Sequence, residues 1–119
     1  VAAHALSNAI LGAIGAGDLG QHFPDSDPRY RDANSLDLLN IVWKLASEQG
    51  WRLGNADVTV FAQRPKLAPH LPAVRARLAA AVDAAEDRLN VKASNPEGLG
   101  SLGRGEGMVA AAVVMLEAD

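Results

Sequence analysis

Asp57-Val58-Thr59-Val60-Phe61-Ala62 is the stretch on which the fold turns: β-branched and aromatic residues dominate it and their polarity alternates. That is the pattern of a half-buried strand. On its N-terminal side Leu38, Leu39, Val42, Trp43 and Ala46 recur at helical spacing. Asn34 or Ser35 supplies the cap, Asp37 suits the first turn, and Gly50 is the stop. On its C-terminal side a helix starts near Pro72, a favoured first-turn residue, and carries Leu71, Val74, Leu78, Val82 and Ala85 on one side. A strand set between two amphipathic helices predicts a sheet with helices packed on it.

Further out, Ala2, Ala5, Leu6, Ala9, Ile10, Ala13 and Ile14 define a first helix from about Val1 to Ile14, closed by Gly15-Ala16-Gly17. Residues 18–28 are polar and broken by proline, which reads as an ordered surface loop. Leu89-Asn90-Val91-Lys92-Ala93 reads as a short strand and residues 94–107 as a loop. Met108 to Leu116 is a final strand whose unbroken apolar character predicts burial on both faces. Three helices in a small domain can hardly cover both sides of its sheet, so a second subunit or an upstream segment is expected to supply the cover. The expected fold class is an α/β (α+β) sandwich, one mixed sheet covered by helices, in a single domain spanning 1–119. Val1 lies inside a helical pattern with no cap before it, so an N-terminal segment is expected upstream.

The chain has 119 residues, is 49% hydrophobic and carries a formal charge of −3. Such a balance argues against a general duplex-binding surface, which needs a basic footprint. Any phosphate it binds should be small and locally held. The absence of cysteine excludes disulfides and thiolate metal sites, leaving His and carboxylates as metal ligands. The longest apolar run, Met108 to Leu116, is far short of the roughly 20 residues a membrane span needs.

Gly98-Leu99-Gly100-Ser101-Leu102-Gly103-Arg104-Gly105-Glu106-Gly107 is the chemically suggestive segment, five of its ten residues being glycine. Backbone N–H groups turned inward, together with the planar Arg104 guanidinium, would suit phosphate oxygens. From glycine content alone an ordinary glycine-rich turn entering the last strand is the commoner reading of the same residues. His4 lies on the first helix, where it can be a hydrogen-bonded, partly buried side chain or a metal ligand; His22 and His70 lie in loops beside prolines and read as exposed or structural. Asp18, Asp25 and Asp27 can orient hydroxyls or hold a hard cation, or simply make turns with Gly20, Pro24 and Pro28. Lys66 can touch a phosphate or be a solvated lysine, and Glu97 can bind a divalent ion already held by phosphates. Ser–His–Asp order, a Walker loop and a dinucleotide fingerprint are all missing.

Taken in order, His4-Ala5-Leu6, Gly17-Asp18-Leu19-Gly20, Phe23-Pro24-Asp25-Ser26-Asp27-Pro28, Asn34-Ser35, Gly54-Asn55-Ala56-Asp57-Val58-Thr59, Arg64-Pro65-Lys66, Pro69-His70, Asn90-Val91-Lys92-Ala93 and Gly103-Arg104-Gly105-Glu106-Gly107 resemble the 2-C-methyl-D-erythritol 2,4-cyclodiphosphate synthase family over nearly the whole chain. The resemblance implies a homotrimeric phosphorus–oxygen lyase of the non-mevalonate route to isoprenoids, with active sites between neighbours. It converts 4-diphosphocytidyl-2-C-methyl-D-erythritol 2-phosphate to the cyclic diphosphate and releases CMP. The substrate's own 2-phosphate attacks its β-phosphate, so no side-chain nucleophile is required. A non-catalytic trimeric homologue binding a cytidine nucleotide or an isoprenoid diphosphate is the alternative, and a fusion to a cytidylyltransferase would concern only what precedes Val1.

By the same resemblance His4 is one of three zinc ligands, the other two lying upstream of Val1. The chain alone is then expected to be inactive. Asp18, Leu19 and Gly20 match positions that meet the methylerythritol hydroxyls, and Phe23, Pro24, Asp25, Ser26 and Asp27 the flexible loop beside them. Ala62, Pro65, Lys66 and Leu67 match the cytidine and phosphate pocket. Ser94-Asn95-Pro96-Glu97 stands where the family usually has Thr-Thr-Thr-Glu: Ser94 keeps a hydroxyl, and Glu97 the carboxylate for a second metal, magnesium or manganese. Asn95 takes the place of a catalytic Thr that stabilises the reacting phosphate. Ser101 belongs to the same substrate-binding set, and Arg104 and Glu106 match residues near the trimer axis, where an isoprenoid diphosphate can sit. The setting implied is the bacterial cytoplasm or, second, a plastid stroma, with neither nucleic acid nor membrane as partner.

Overall fold

The central strand β1 (Trp51–Phe61) is 11 residues long, nearly twice the stretch its alternation announces. A computed structural model describes residues 1–119 apart from Arg31, Asp32, Arg64, Pro65 and Glu106. β1 pairs in parallel with β2 (Leu89–Ser94), from Ala56 opposite Leu89 to Phe61 opposite Ser94, and antiparallel with β3 (Val109–Ala118), giving the order β2-β1-β3. Arg52, Gly54 and Asn55 hide the first half of β1 because a bulge falls there: Leu53 pairs with Leu116 and Asn55 with Met115, leaving Gly54 as the extra residue. A Cβ at Gly54 would lie 2.9 Å from the Met115 carbonyl oxygen. Its own carbonyl accepts a hydrogen bond from Arg88 Nη1 at 3.1 Å.

Helices α1 (Ala2–Ala13), α3 (Ser35–Glu48) and α4 (Leu71–Ala81) bury one face of this sheet. Leu6 and Ile10 of α1, Leu39 and Val42 of α3, and Leu78 of α4 meet Val58 and Leu89 in one core. The Asn34 side-chain oxygen caps α3 by accepting the Leu36 N–H at 2.8 Å, and Gly50, with φ +89°, turns the chain into β1. The expected boundaries of α1 and α3 hold to within a residue or two.

Four expectations are corrected. The loop at 18–28 contains a short helix, α2 (Leu19–His22), capped by Asp18 Oδ1, which accepts the Gln21 N–H at 2.9 Å, and a 3₁₀ turn at Pro28–Tyr30. The third helix follows a 3₁₀ turn at Ala68–His70 and stops at Ala81; Asp83 takes φ +50°, so Ala85 is exposed beyond the helix instead of extending its apolar side. The glycine-rich loop holds one helical turn, α5 (Gly100–Gly103). Finally, β3 is not buried on both faces. Ala112, Val114 and Leu116 pack on the core, whereas Val109, Val113 and Met115 are 50%, 73% and 62% exposed. An apolar run records how much surface could be covered, and this chain's helices cover one side only. Among the described residues no helix is long and apolar enough to cross a membrane.

Candidate functional site

His4 and Asn8 project one turn apart from α1 into a cavity of about 320 Å³ whose wall also carries Leu19, Gly20, Phe23, Asp25, Tyr30 and Leu38. The glycine stop after α1 reverses the chain so that α2 returns over it, and Asn8 Oδ1 fastens the two by accepting the Leu19 N–H at 2.8 Å. The following loop is braced by Phe23, whose ring meets that of Tyr30 edge-on at 4.9 Å. Five residues singled out from sequence therefore face one space: His4, Leu19, Gly20, Phe23 and Asp25. Asp18 is occupied as a cap. Asp27 is engaged by Arg29, whose Nη2 lies 2.9 Å from its carboxylate. The Arg29 side-chain and backbone hydrogen bonds hold the Asp27 carboxyl below its ordinary range. Pro24 and Ser26 form the turn between, closed by the Asp27 N–H on the Pro24 carbonyl at 2.9 Å. His4 is exposed and not partly buried, and His22 is structural, its Nε2 2.7 Å from the Ala16 carbonyl.

A second group gathers where the parallel strands β1 and β2 both end, the edge at which open α/β sheets commonly bind ligands. The Ala62 N–H reaches the Ser94 carbonyl at 3.2 Å, so the segments leaving the two strands start side by side. Lys66 is exposed just beyond, with Leu67 half-buried next to it; Arg64, Pro65 and Glu106 lie outside the described residues. Asn95 Oδ1 accepts the Glu97 N–H at 2.7 Å and Gln63 Oε1 accepts the Gly98 N–H at 2.9 Å. Ser101 lies in α5 and Arg104 directly follows it.

Part of the expected cradle of inward N–H groups is used inside the chain. The amides of Leu99, Gly103, Arg104 and Gly105 donate to carbonyls of the same loop, and that of Gly98 donates to Gln63. Those five N–H groups are committed within the chain. Among the described residues, the cavity wall near His4 includes none of Ala62, Lys66, Leu67, Ser94, Asn95 or Glu97. The two groups therefore do not share one cavity wall.

No group of three or more His, Cys, Asp or Glu side chains is placed to hold a metal among the described residues. His4 alone does not make a zinc site, which needs three protein ligands. Glu97, an exposed carboxylate, fits a magnesium-type ion that keeps most of its shell as water and phosphate oxygen.

Sequence reasoning missed Asn8, Tyr30 and Gln63. Asn8 was legible in principle, being four residues from His4 on the same helix face; the Tyr30 and Gln63 contacts join segments with no local signature. It also passed over the outer sheet face, where Lys92 Nζ and Asn90 Nδ2 donate to Asp57 at 2.8 and 3.0 Å. Those bonds hold the Asp57 carboxyl below its usual range, Lys92 contributing most.

A mixed sheet backed by helices on one face, with a ligand-sized cavity walled by α1, α2 and α3, defines an α/β domain of the type seen in solved 2C-methyl-D-erythritol-2,4-cyclodiphosphate synthases. One of these, in a CDP-bound form, superposes with a TM-score of 0.89 at 36% identity, covering 98% of this chain and 75% of that one. The bifunctional IspDF of Campylobacter jejuni superposes at 0.93 with 43% identity; 98% of this chain matches, spanning only 32% of that larger one. In sequence the chain is 54% identical over 113 residues to the 2-C-methyl-D-erythritol 2,4-cyclodiphosphate synthase of Halalkalibacterium halodurans, covering 95% of this chain and 72% of that protein. It is 52% identical over 119 residues to the enzyme of the same name from Alcanivorax borkumensis, covering 100% and 74%. The YgbB family model matches residues 1–117, and the chain belongs to that family.

Proposed function

We propose that this chain is the catalytic domain of a 2-C-methyl-D-erythritol 2,4-cyclodiphosphate synthase, closing 4-diphosphocytidyl-2-C-methyl-D-erythritol 2-phosphate into the cyclic diphosphate with release of CMP. The observation that carries this is the convergence of His4, Leu19, Gly20, Phe23 and Asp25 on one cavity, in a chain 54% identical to an enzyme of that name. In the reaction an oxygen of the 2-phosphate attacks the β-phosphorus, the bond from that phosphorus to the bridging oxygen breaks, and CMP departs with the electron pair. The attacking oxygen belongs to the substrate, so the reaction needs no side-chain nucleophile. The protein's work is to bend the substrate and balance the charge that builds up.

Asp18, Leu19 and Gly20 are assigned to the methylerythritol hydroxyls and residues 23–27 to the flank of that pocket. Ala62, Pro65, Lys66 and Leu67 hold the cytidine and its phosphates, while Ser94, Asn95, Ser101 and Arg104 complete the phosphate end. Asn95 spends its oxygen on the Glu97 turn, which leaves its amide NH₂ as the donor toward phosphate. A divalent ion at Glu97 would supply charge neutralisation between phosphates; His4 would give one zinc ligand, with the remaining donors outside the described residues. Two groups that do not share one cavity wall favour sites shared between copies, and the apolar outer row of β3 favours a homotrimer that covers it. A cytoplasmic setting accords with relatives from bacteria.

The deciding experiment is CMP release by the full-length protein with zinc and magnesium present. Release that disappears in His4→Ala together with bound zinc is the expected result. CDP binding without any CMP formation would defeat the catalytic reading and leave a nucleotide-binding homologue.

A further inference from the structure

Glu97 adopts φ +58°, a left-handed conformation that costs a side-chain-bearing residue free energy unless its surroundings fix it. The fixing groups are visible. On one side its own N–H is held by Asn95 Oδ1 at 2.7 Å, and on the other the N–H of Gly98 is held by Gln63 Oε1 at 2.9 Å. Gly98 itself has φ +75°, and Gly103 folds back so closely that a Cβ there would collide with the Gly98 backbone. The Glu97–Gly98 peptide is therefore clamped between Asn95, the α5 turn and a side chain arriving from the end of β1.

We infer that Gln63 is a positioning residue: its side-chain oxygen sets the direction of the Glu97 carboxylate by holding the Gly98 amide, and so tunes the affinity of the divalent ion that accompanies a nucleotide diphosphate. The inference rests on the function proposed above for Glu97. Gln63 is well placed for this because its neighbour Ala62 is tied to Ser94 through the backbone, so the side chain starts from a rigid strand end. Its reach of 35 residues along the sequence joins the nucleotide-side segment to the metal-side segment. Gln63 would thereby couple the two without touching the reacting atoms.

The test uses CDP and Mn²⁺ as probes. Gln63→Ala removes the acceptor, whereas Gln63→Glu keeps an oxygen in its place. Loss of one hydrogen bond should weaken Mn²⁺ binding to the protein–CDP complex by about five- to tenfold, read from the resonance of free Mn²⁺. CDP affinity in metal-free buffer should stay within about twofold, and the Gly98 amide should exchange faster with solvent in Gln63→Ala. Gln63→Glu should bind Mn²⁺ at least as tightly as the unmutated protein, since the added charge also favours the cation. Unchanged Mn²⁺ affinity in Gln63→Ala, an equal loss of metal-free CDP affinity, or failure of Gln63→Glu to restore binding would each overturn the inference. Failure of the functional proposal reads differently, because then the unmutated protein itself releases no CMP, whether or not it binds CDP.

Discussion

Replacing Val113 with lysine tests whether the open face of the sheet is an assembly surface. Val113 lies opposite Asp57 in the ladder and is 73% exposed in the single chain. Burying a valine side chain fully contributes about 1.5–3 kcal/mol, so covering the exposed part contributes about 1–2 kcal/mol per copy. In a trimer three such side chains are lost together, and at each position a further ammonium beside the Asp57–Lys92 pair must be desolvated. The combined penalty exceeds ~4 kcal/mol per assembly, enough to lower the association constant at least about a thousandfold. Sedimentation velocity at micromolar protein should show a trimer for the unmutated protein and a monomer for Val113→Lys. Because the position is a surface one in the isolated subunit, monomer stability should change by no more than about 0.5 kcal/mol. Circular dichroism melts of the dilute protein check that. Equal sedimentation of the two proteins, whether both trimeric or both monomeric, would refute the reasoning.

Leu6, with no exposure between α1 and the sheet, should cost about 3 kcal/mol when cut to alanine, visible as a lower denaturation midpoint with an unchanged slope in urea. Lys66→Ala should weaken CMP binding by about tenfold to a hundredfold, the range of a charge-assisted hydrogen bond, measured by titration calorimetry. Asp57 titrates below its unfolded value, mainly through Lys92. Its contribution is thus present above the ordinary carboxylate range and fades as pH falls through the depressed value. The stability gap between the unmutated protein and Asp57→Asn should accordingly be constant from pH 7 to 5 and close below pH 4, in urea titrations at each pH.

The helices were legible because their apolar spacing and caps are local: Asn34 capping α3 and the glycine stop after α1 are written in consecutive residues. So was the existence of all three strands. Less legible was anything decided by a distant partner. The first half of β1 contains an arginine, a glycine and an asparagine, and it becomes strand because β3 pairs with it across a bulge. Likewise the apolar run in β3 states a capacity for burial without saying which element fills it. In the site, the resemblance implied active sites between neighbours, but local spacing does not say that His4, Leu19, Gly20, Phe23 and Asp25 meet at one cavity whose wall leaves out the residues at 62 and 94–97. Motif order along a chain carries no information about which copy of that chain faces which. The glycine-rich loop shows a related limit: composition indicates freedom to turn, and only the fold decides whose acceptors the amides meet.

The extra residue at Gly54 divides the longest strand into two sections whose inside and outside are set independently. Downstream, Ala56, Val58 and Val60 point inward and deliver Ala62 to the nucleotide-side segment; upstream, Leu53 points inward by a separate count. Pairing Gly54 as an ordinary ladder residue would shift the count by one, so that Leu53 would swing to the surface and Arg52 into the core. Length errors near the N-terminal end of this strand can therefore be absorbed at the kink, whereas an error after it rotates the ligand-facing end and carries the chemistry away with it.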